Sequence, residues 1–119
     1  MPIATASDAA SLLVPLFARP RGEKLVVLHL DADRHAIAVA EYHPGTLPLR
    51  AIVQAALERN AAGLIVAHNH PSGDLRPSPE DIDATRRLSR LAAELGIRLH
   101  DHLIFAGRSC SSFRALGLL

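Results

Sequence analysis

The chain has 119 residues, a length that suits one domain and leaves little room for a second hydrophobic core. Hydrophobic residues make up 49% and charged residues 21%, so the chain can bury a core, which excludes an intrinsically disordered protein. Thirteen basic and twelve acidic side chains give a formal net charge of +1, which supplies no overall electrostatic attraction to nucleic acid or to an anionic membrane.

Cysteine content and hydrophobic runs bear on the compartment. The single cysteine, Cys110, excludes an internal disulfide and favours a reducing compartment, for which the cytoplasm is the default. Nothing around this thiol would lower its pKa, so we expect a packing role and not a nucleophile. Residues 1–24 lack an early positive charge and a small-residue cleavage site, which argues against a signal peptide. Because no apolar run approaches the roughly 20 residues that cross a bilayer, a soluble protein without a membrane partner is expected.

The first half of the chain predicts a helix, a β-hairpin and a second helix. Apolar residues at helical spacing run from Ser7, the expected N-cap, to Phe17. Residues 24–40 contain two β-rich runs around a polar turn, which predicts an antiparallel hairpin. Helical spacing then predicts a second helix, with Thr46 as a cap and an end near Asn60.

The second half predicts two further strands around a third helix. Residues 63–67 are wholly apolar, as expected of a central strand covered on both faces. A polar loop at 68–78 precedes a helix at 79–95, which should end at Gly96, and residues 97–105 follow as a strand. This order favours an α/β sandwich in which three helices cover a mixed sheet.

The loop after the central strand contains a candidate metal site. Residues two apart in an extended chain project to the same side, so His68 and His70 present both imidazoles to one point. The loop must fold back before the next helix begins, which makes Asp81 the natural third ligand. Two imidazoles and a carboxylate suit zinc and leave the fourth position for water. Zinc would lower the pKa of that water and polarise a substrate carbonyl, although a general base is still required.

These residues also have structural interpretations. Either histidine could be an ordinary polar residue where a strand meets solvent. Ser78 is a good N-cap and Asp81 stands at the capping-box position, a role compatible with metal ligation. A second His-x-His, formed by His100 and His102, could compete as the ligand pair, but no loop with a following Ser-x-x-Asp accompanies it.

The motif resembles the signature of the JAB/MPN metalloprotease superfamily, the JAMM motif. That signature is His-x-His, seven residues, Ser, two residues and Asp, with a glutamate upstream, and every spacing agrees from His68 to Asp81. The strings HNHPSGD, PSPEDIDATRRL and the later DHLI are similar to the RadC-like branch in particular. The resemblance runs from about Glu23 to the C-terminus. We therefore expect a single domain over residues 1–119, in which residues 1–22 form a helix and linker.

The resemblance implies a cytidine-deaminase-like α/β/α fold and hydrolysis of a peptide or isopeptide bond. It also implies a zinc ion held by three side chains, those of His68, His70 and Asp81. In the family the upstream glutamate shuttles the proton of the water, and the serine, here Ser78, helps to stabilise the oxyanion. Glu23, immediately before the first predicted strand, matches the position of the glutamate, and Glu41, at the end of the second strand, is the rival.

Two other functions stay open at this stage. RadC-like proteins have been associated with DNA repair, and an accessory role in DNA transactions is the first alternative. Too few residues precede Glu23 for the helix-hairpin-helix region of longer RadC-like proteins, and 3% aromatic residues disfavour a nucleic-acid surface despite Arg86, Arg87 and Arg90 on the third helix. The second alternative is a metal-binding interaction module without catalysis. The expected partner is a peptide or protein-conjugate substrate, and the oligomeric state is not predicted.

Overall fold

The computed structural model describes residues 2–18, 22–43 and 46–119, which form three helices and five strands. Their order is α1 (Ala6–Phe17), β1 (Leu25–Leu30), β2 (Ala36–Tyr42), α2 (Leu49–Glu58), β3 (Gly63–Asn69), α3 (Pro79–Glu94), β4 (Arg98–Ala106) and β5 (Ser109–Ser112). The strands form one sheet in the order β2-β1-β3-β4-β5. Only the β3–β4 pair is parallel among them. The predicted α/β fold with a mixed sheet and a central β3 is confirmed.

Side-chain alternation on the central strand divides the core in two. Leu64 and Val66 of β3 pack in a cluster with the buried faces of α2 and α3. Ile65 and Ala67 point to the opposite face, in a second cluster with the buried face of α1. Because both faces of β3 are covered, its apolar run is continuous instead of alternating. We call the two sides the α2/α3 face and the α1 face.

The starts of the first two helices differ from the predicted caps. Thr5, and not Ser7, is the N-cap of α1: its hydroxyl accepts the backbone N–H of Asp8, whose carboxylate accepts the backbone N–H of Thr5 in return. The N-cap of α2 is Pro48, which has no side-chain cap, so Thr46 does not have the predicted role. None of the helices described is long and apolar enough to span a membrane.

The sheet extends further around the candidate loop than predicted. β3 continues past Ala67 because β4 runs parallel beside it, with His68 opposite Ile104 and Asn69 opposite Phe105. β5 was not predicted, since its sequence, SCSS, has no apolar alternation. Asp101 stabilises this end of the chain, where its carboxylate accepts the Ser112 hydroxyl at 2.6 Å and the backbone N–H of Arg114 at 3.1 Å. The ligand-bearing end of β3 is therefore held between neighbouring strands.

Candidate metal centre

The structure brings together the three predicted ligands at the carboxyl end of β3. His68 Nε2 lies 3.0 Å from His70 Nε2, and His70 Nε2 lies 3.1 Å from Asp81 Oδ2. His68 Nε2 is 3.6 Å from Asp81 Oδ1. One ligand atom from each residue fits within 4.8 Å of the others, which is close enough for a single ion. All three side chains are partly buried, so the cluster is partly accessible to solvent.

The start of α3 places the carboxylate. Ser78 is its N-cap, as predicted: its Oγ accepts the backbone N–H of Asp81 at 3.0 Å, and its backbone N–H donates to Asp81 Oδ2 at 2.9 Å. Burial raises the pKa of Asp81, but the imidazole of His68 and the backbone N–H of Ser78 more than offset this, and the pKa stays well below its usual range. The capping box therefore holds an ionised carboxylate against the histidines.

The loop between β3 and α3 orients the second histidine. His70 Nδ1 donates to the backbone carbonyl of Asp74 at 2.7 Å. The carboxylate of Asp74 accepts hydrogen bonds from two guanidinium nitrogens of Arg76. These hydrogen bonds lower the pKa of Asp74 to about 2. The Ser111 hydroxyl on β5 donates to the carbonyl of Leu75 at 2.6 Å, which ties the loop to the sheet. The loop is thus ordered by contacts that do not involve the ligand atoms.

The donor set fits a zinc ion. A carbonyl oxygen only accepts hydrogen bonds, so Nδ1 of His70 carries a proton, and the tautomer protonated at Nδ1 alone presents a lone pair at Nε2. That lone pair faces a carboxylate oxygen at 3.1 Å and a second imidazole nitrogen at 3.0 Å. Such a convergence is repulsive unless a proton or a cation lies between the atoms. Two imidazoles and one carboxylate are also the protein ligands of many catalytic zinc sites.

A fully buried histidine on β4 supports the first ligand. His102 Nε2 lies 2.6 Å from His68 Nδ1, and His102 Nδ1 lies 2.6 Å from the hydroxyl of Thr85 on α3. Its ring stacks on Phe113 at 4.5 Å. Burial, followed by the nearby His68, lowers the pKa of His102, so its ring is neutral. From the sequence, His102 is either part of a rival ligand pair or, by the RadC-like resemblance of Asp101-His102, a support near the site. The parallel pairing of β3 with β4 places it beside His68 as a hydrogen-bond partner.

The two candidate glutamates lie on different faces of the sheet. Leu25 pairs with His68, so Glu23, two residues before Leu25, belongs to the ligand face, and it lines the same groove as the ligands. This groove has a volume of about 1240 Å³. Glu41 pairs with Val26 and therefore projects to the α1 face, where its carboxylate lies 3.5 Å from Lys24 Nζ. The structure therefore places Glu23, and not Glu41, along the groove that contains the three predicted ligands.

The second His-x-His pair does not converge on a site. Leu64 lies opposite Leu99, whereas Ile65 lies opposite Asp101, which leaves His100 as the extra residue of a β-bulge. Its ring packs where a side chain on Gly63 would lie: an added Cβ would be 2.4 Å from His100 Nε2. Burial and three nearby arginines lower the pKa of His100 to about 4. This environment is unsuitable for a second cation.

Two further groups of titratable residues have structural roles. Asp31, Asp33 and His35 could approach one ion, but Asp31 Oδ1 already accepts the backbone N–H groups of the other two, which makes the predicted turn of the hairpin. Cys110 packs against the α1 face, and burial raises the pKa of its thiol to about 11. The expected packing role of the thiol agrees with this setting.

Comparison with known proteins identifies the family. Residues 3–118 match the RadC-like JAB domain. Similar proteins include UPF0758 protein Bpet3149 of Bordetella petrii, 44% identical over 102 residues, and UPF0758 protein SPO0054 of Ruegeria pomeroyi, 45% identical over 102 residues. Each alignment covers 82% of this chain but only 45% and 46% of the relative, so the chain spans less than half the length of these proteins. The RadC-like resemblance of the motif is confirmed, and the chain belongs to the RadC-like JAB domain family.

Proposed function

We propose that this domain is a zinc-dependent hydrolase of peptide or isopeptide bonds, and that its substrate is a peptide or a protein conjugate. The observation that carries the proposal is the convergence of two imidazole nitrogens and a carboxylate in an open groove that Glu23 also lines. Zinc, when bound, supplies a Lewis acid that lowers the pKa of a water molecule and polarises the substrate carbonyl. Hydrolysis adds that water across the C–N bond and releases a carboxylic acid and an amine.

In this proposal Glu23 moves the proton. Its carboxylate accepts a proton from the attacking water and delivers it to the nitrogen of the departing amine. Glu23 is solvent-exposed, lines the groove and lies before β1 on the ligand face, where a carboxylate can reach both water and substrate. One residue thus acts first as base and then as acid.

Ser78 has two compatible roles. Its Oγ accepts the backbone N–H of Asp81, which fixes the side chain at the start of α3 and leaves the hydroxyl proton to donate. Ser78 also lines the groove, so this proton can be directed at the oxygen of a carbonyl undergoing attack. Donors of this kind contribute about 10²–10³-fold to turnover in other hydrolases. The cap supplies the orientation that such a donor needs.

His102 acts on the ligand set as a positioning residue. For His68 Nε2 to present its lone pair to an ion, His68 Nδ1 must carry the proton and donate to His102 Nε2. The neutral ring of His102 then donates from Nδ1 to the hydroxyl of Thr85. This series of hydrogen bonds from His68 through His102 to Thr85 selects the tautomer of His68 that binds a metal.

The charges around the groove favour a peptide over a nucleic acid. Acidic side chains such as Glu23 and Glu80 line the groove together with the basic side chains of Arg76 and Arg87, so the lining offers no surface of one sign to a phosphate backbone. Peptide-like substrates of mixed charge suit such a lining. The free thiol of Cys110 agrees with a reducing compartment such as the cytoplasm, which stays a prediction.

The test compares the two glutamates. Zinc-loaded wild type, Glu23→Gln and Glu41→Gln are incubated with quenched fluorogenic linear peptides and lysine-branched isopeptides, while bound zinc is measured by elemental analysis. We expect Glu23→Gln to keep stoichiometric zinc and to lose about 10²–10⁴-fold in turnover, because the amide retains the shape but not the proton acceptor. Glu41→Gln should cleave like wild type, because its carboxylate lies on the α1 face. The reverse order would refute Glu23 as the base, and failure of zinc-loaded wild type to cleave either substrate class would refute the hydrolase.

A further inference from the structure

The residue between the two histidine ligands is a buried asparagine that points away from them. Asn69 is 2% exposed and projects to the α1 face, as strand alternation requires for the position between His68 and His70. A buried amide must find hydrogen-bond partners, because leaving its polar atoms unsatisfied costs more than the bonds contribute. The hydrogen-bond partners of the Asn69 amide therefore indicate the role of an asparagine at this position.

Both partners of the Asn69 amide are backbone groups that flank Glu23. The backbone N–H of Lys24 donates to Asn69 Oδ1 at 2.7 Å. Asn69 Nδ2 donates to the carbonyl oxygen of Gly22 at 2.9 Å. One partner is a donor and the other an acceptor, so the amide satisfies both in a single orientation. The Asn69 side chain of β3 thus forms hydrogen bonds with the main chain on each side of residue 23.

The two hydrogen bonds of the Asn69 amide extend the pairing of β1 and β3 beyond their last backbone pair. The β1–β3 ladder ends where Leu25 pairs with His68, and Glu23 precedes β1 and is exposed. Exposed residues outside a ladder have few contacts that hold them in position. The amide of Asn69 replaces the missing ladder bonds, because it offers the same pair of groups, one acceptor and one donor. Lys24 Nζ also donates to the carbonyl of Leu16 in α1 at 2.5 Å, whereas the Asn69 amide is the contact that comes from β3.

We propose that Asn69 is a positioning residue that holds Glu23 at the metal ligands. The inference rests on the proposed function, because it concerns the geometry of the base in that reaction. A general base must come within about 2.6–3.2 Å of the proton that it removes, and a displacement of about 1 Å can cost 100-fold in rate. His70 directly follows Asn69, and its backbone N–H donates to the Phe105 carbonyl of β4 at 3.0 Å, so the same strand end that presents the ligands also sets the distance to the base.

The test uses the 119-residue chain with Asn69→Leu, which keeps the size and removes both hydrogen bonds, and Asn69→Asp, which keeps only an acceptor for the Lys24 N–H. The matched control is Ile65→Ala, a buried change on the same face that does not touch residues 22–24. Thermal unfolding, zinc affinity by chelator competition, amide hydrogen exchange of Lys24, and kcat and KM on a cleaved peptide are measured for each variant.

We expect exchange of the Lys24 amide to be at least about tenfold faster in Asn69→Leu, with zinc affinity close to wild type. The value of kcat should fall about 100-fold with little change in KM, and Asn69→Asp should be intermediate in both exchange and kcat. In a Glu23→Gln background, Asn69→Leu should cause no further loss, because Asn69 acts through Glu23. Ile65→Ala should lower the melting temperature without these effects.

The outcomes separate the inference from the proposed function. An unchanged rate of Lys24 amide exchange in Asn69→Leu would overturn the claim that Asn69 holds residues 22–24 in place, whether or not the protein cleaves any substrate. An active wild type whose Asn69→Leu variant keeps its kcat, or loses equally in the Glu23→Gln background, would overturn the positioning role alone. A zinc-loaded wild type without hydrolysis would instead refute the hydrolase. If Asn69→Leu does not fold, Asn69→Asp decides: normal kcat with the Gly22 bond removed would overturn the inference.

Discussion

The chain contains two His-x-His pairs at neighbouring parallel strands, and only the first pair brings both of its rings to one point. In the first pair, His68 lies in the regular strand β3 and His70 directly follows its last residue, and both rings reach one point with their Nε2 atoms 3.0 Å apart. On β4 the bulge at His100 interrupts the alternation. His102 joins the candidate centre beside His68, whereas His100 lies among the residues of the α1 face, near Arg34, Arg98 and Arg114.

The difference shows what a two-residue spacing does and does not determine. The spacing places two side chains on one face only where the pleat is regular, and one extra residue in a strand reverses that relation for every position beyond it. Equal motifs therefore predict equal sites only if the local backbone is the same. The loop and the following Ser-x-x-Asp distinguish the first pair in the sequence, and the bulge distinguishes the second in the structure.

The largest expected difference between the pairs is in zinc affinity. His68→Ala should weaken zinc binding by more than about 100-fold, which is the upper end of the cost of losing only a partner of a ligand. His100→Ala should leave zinc affinity unchanged, because its ring lies on the other face. Chelator competition on both variants measures this. Equal losses in the two variants would mean that the bulge does not separate the pairs.

An intermediate effect is expected at the residue that links the pairs. His102→Phe keeps a ring to stack on Phe113 but removes the acceptor for His68 Nδ1, and zinc affinity should fall about 10–100-fold. Thr85→Val removes only the outer hydroxyl of the chain and should have a smaller effect in the same direction. The same competition assay, with thermal unfolding as the control for folding, ranks the variants. Wild-type affinity in a folded His102→Phe protein would contradict the support of His68 by His102.

The smallest effect concerns the pH dependence of stability at His100. Burial and the nearby arginines hold its pKa at about 4 in the folded chain, against about 6.5 when unfolded. The unfolded chain therefore binds the proton first as pH falls, so this contribution to stability is complete above about pH 6.5 and is lost progressively toward pH 4. In His100→Gln the free energy of unfolding should depend less on pH between 6.5 and 4. Denaturant unfolding at several pH values measures the slope, and parallel curves for the two proteins would contradict the prediction.

Much of the fold follows from local pattern, and the exceptions have physical reasons. The hairpin, the central strand and the start of α3 at Ser78 could be predicted, because apolar periodicity and a capping box are short-range signals. The strand β5 could not be predicted, because its residues carry no apolar alternation and it forms by pairing with the end of β4. The cap of α1 was misplaced by two residues, since Thr5 and Ser7 are equally suited in sequence and only the helix start decides between them.

The sequence by itself determined the identity and spacing of the candidate ligands, because a strand and a helix start place His68, His70 and Asp81 through local geometry. The position of Glu23 before the first strand already favours it over Glu41 in the sequence. The faces on which the two glutamates lie depend on the tertiary structure, because they follow from which residues of β1 pair with His68 and with Glu41. The same is true of the partners of the site. Asn69 and His102 form hydrogen bonds with residues 45 and 34 positions away in the chain, and no local pattern specifies a register between strands that far apart.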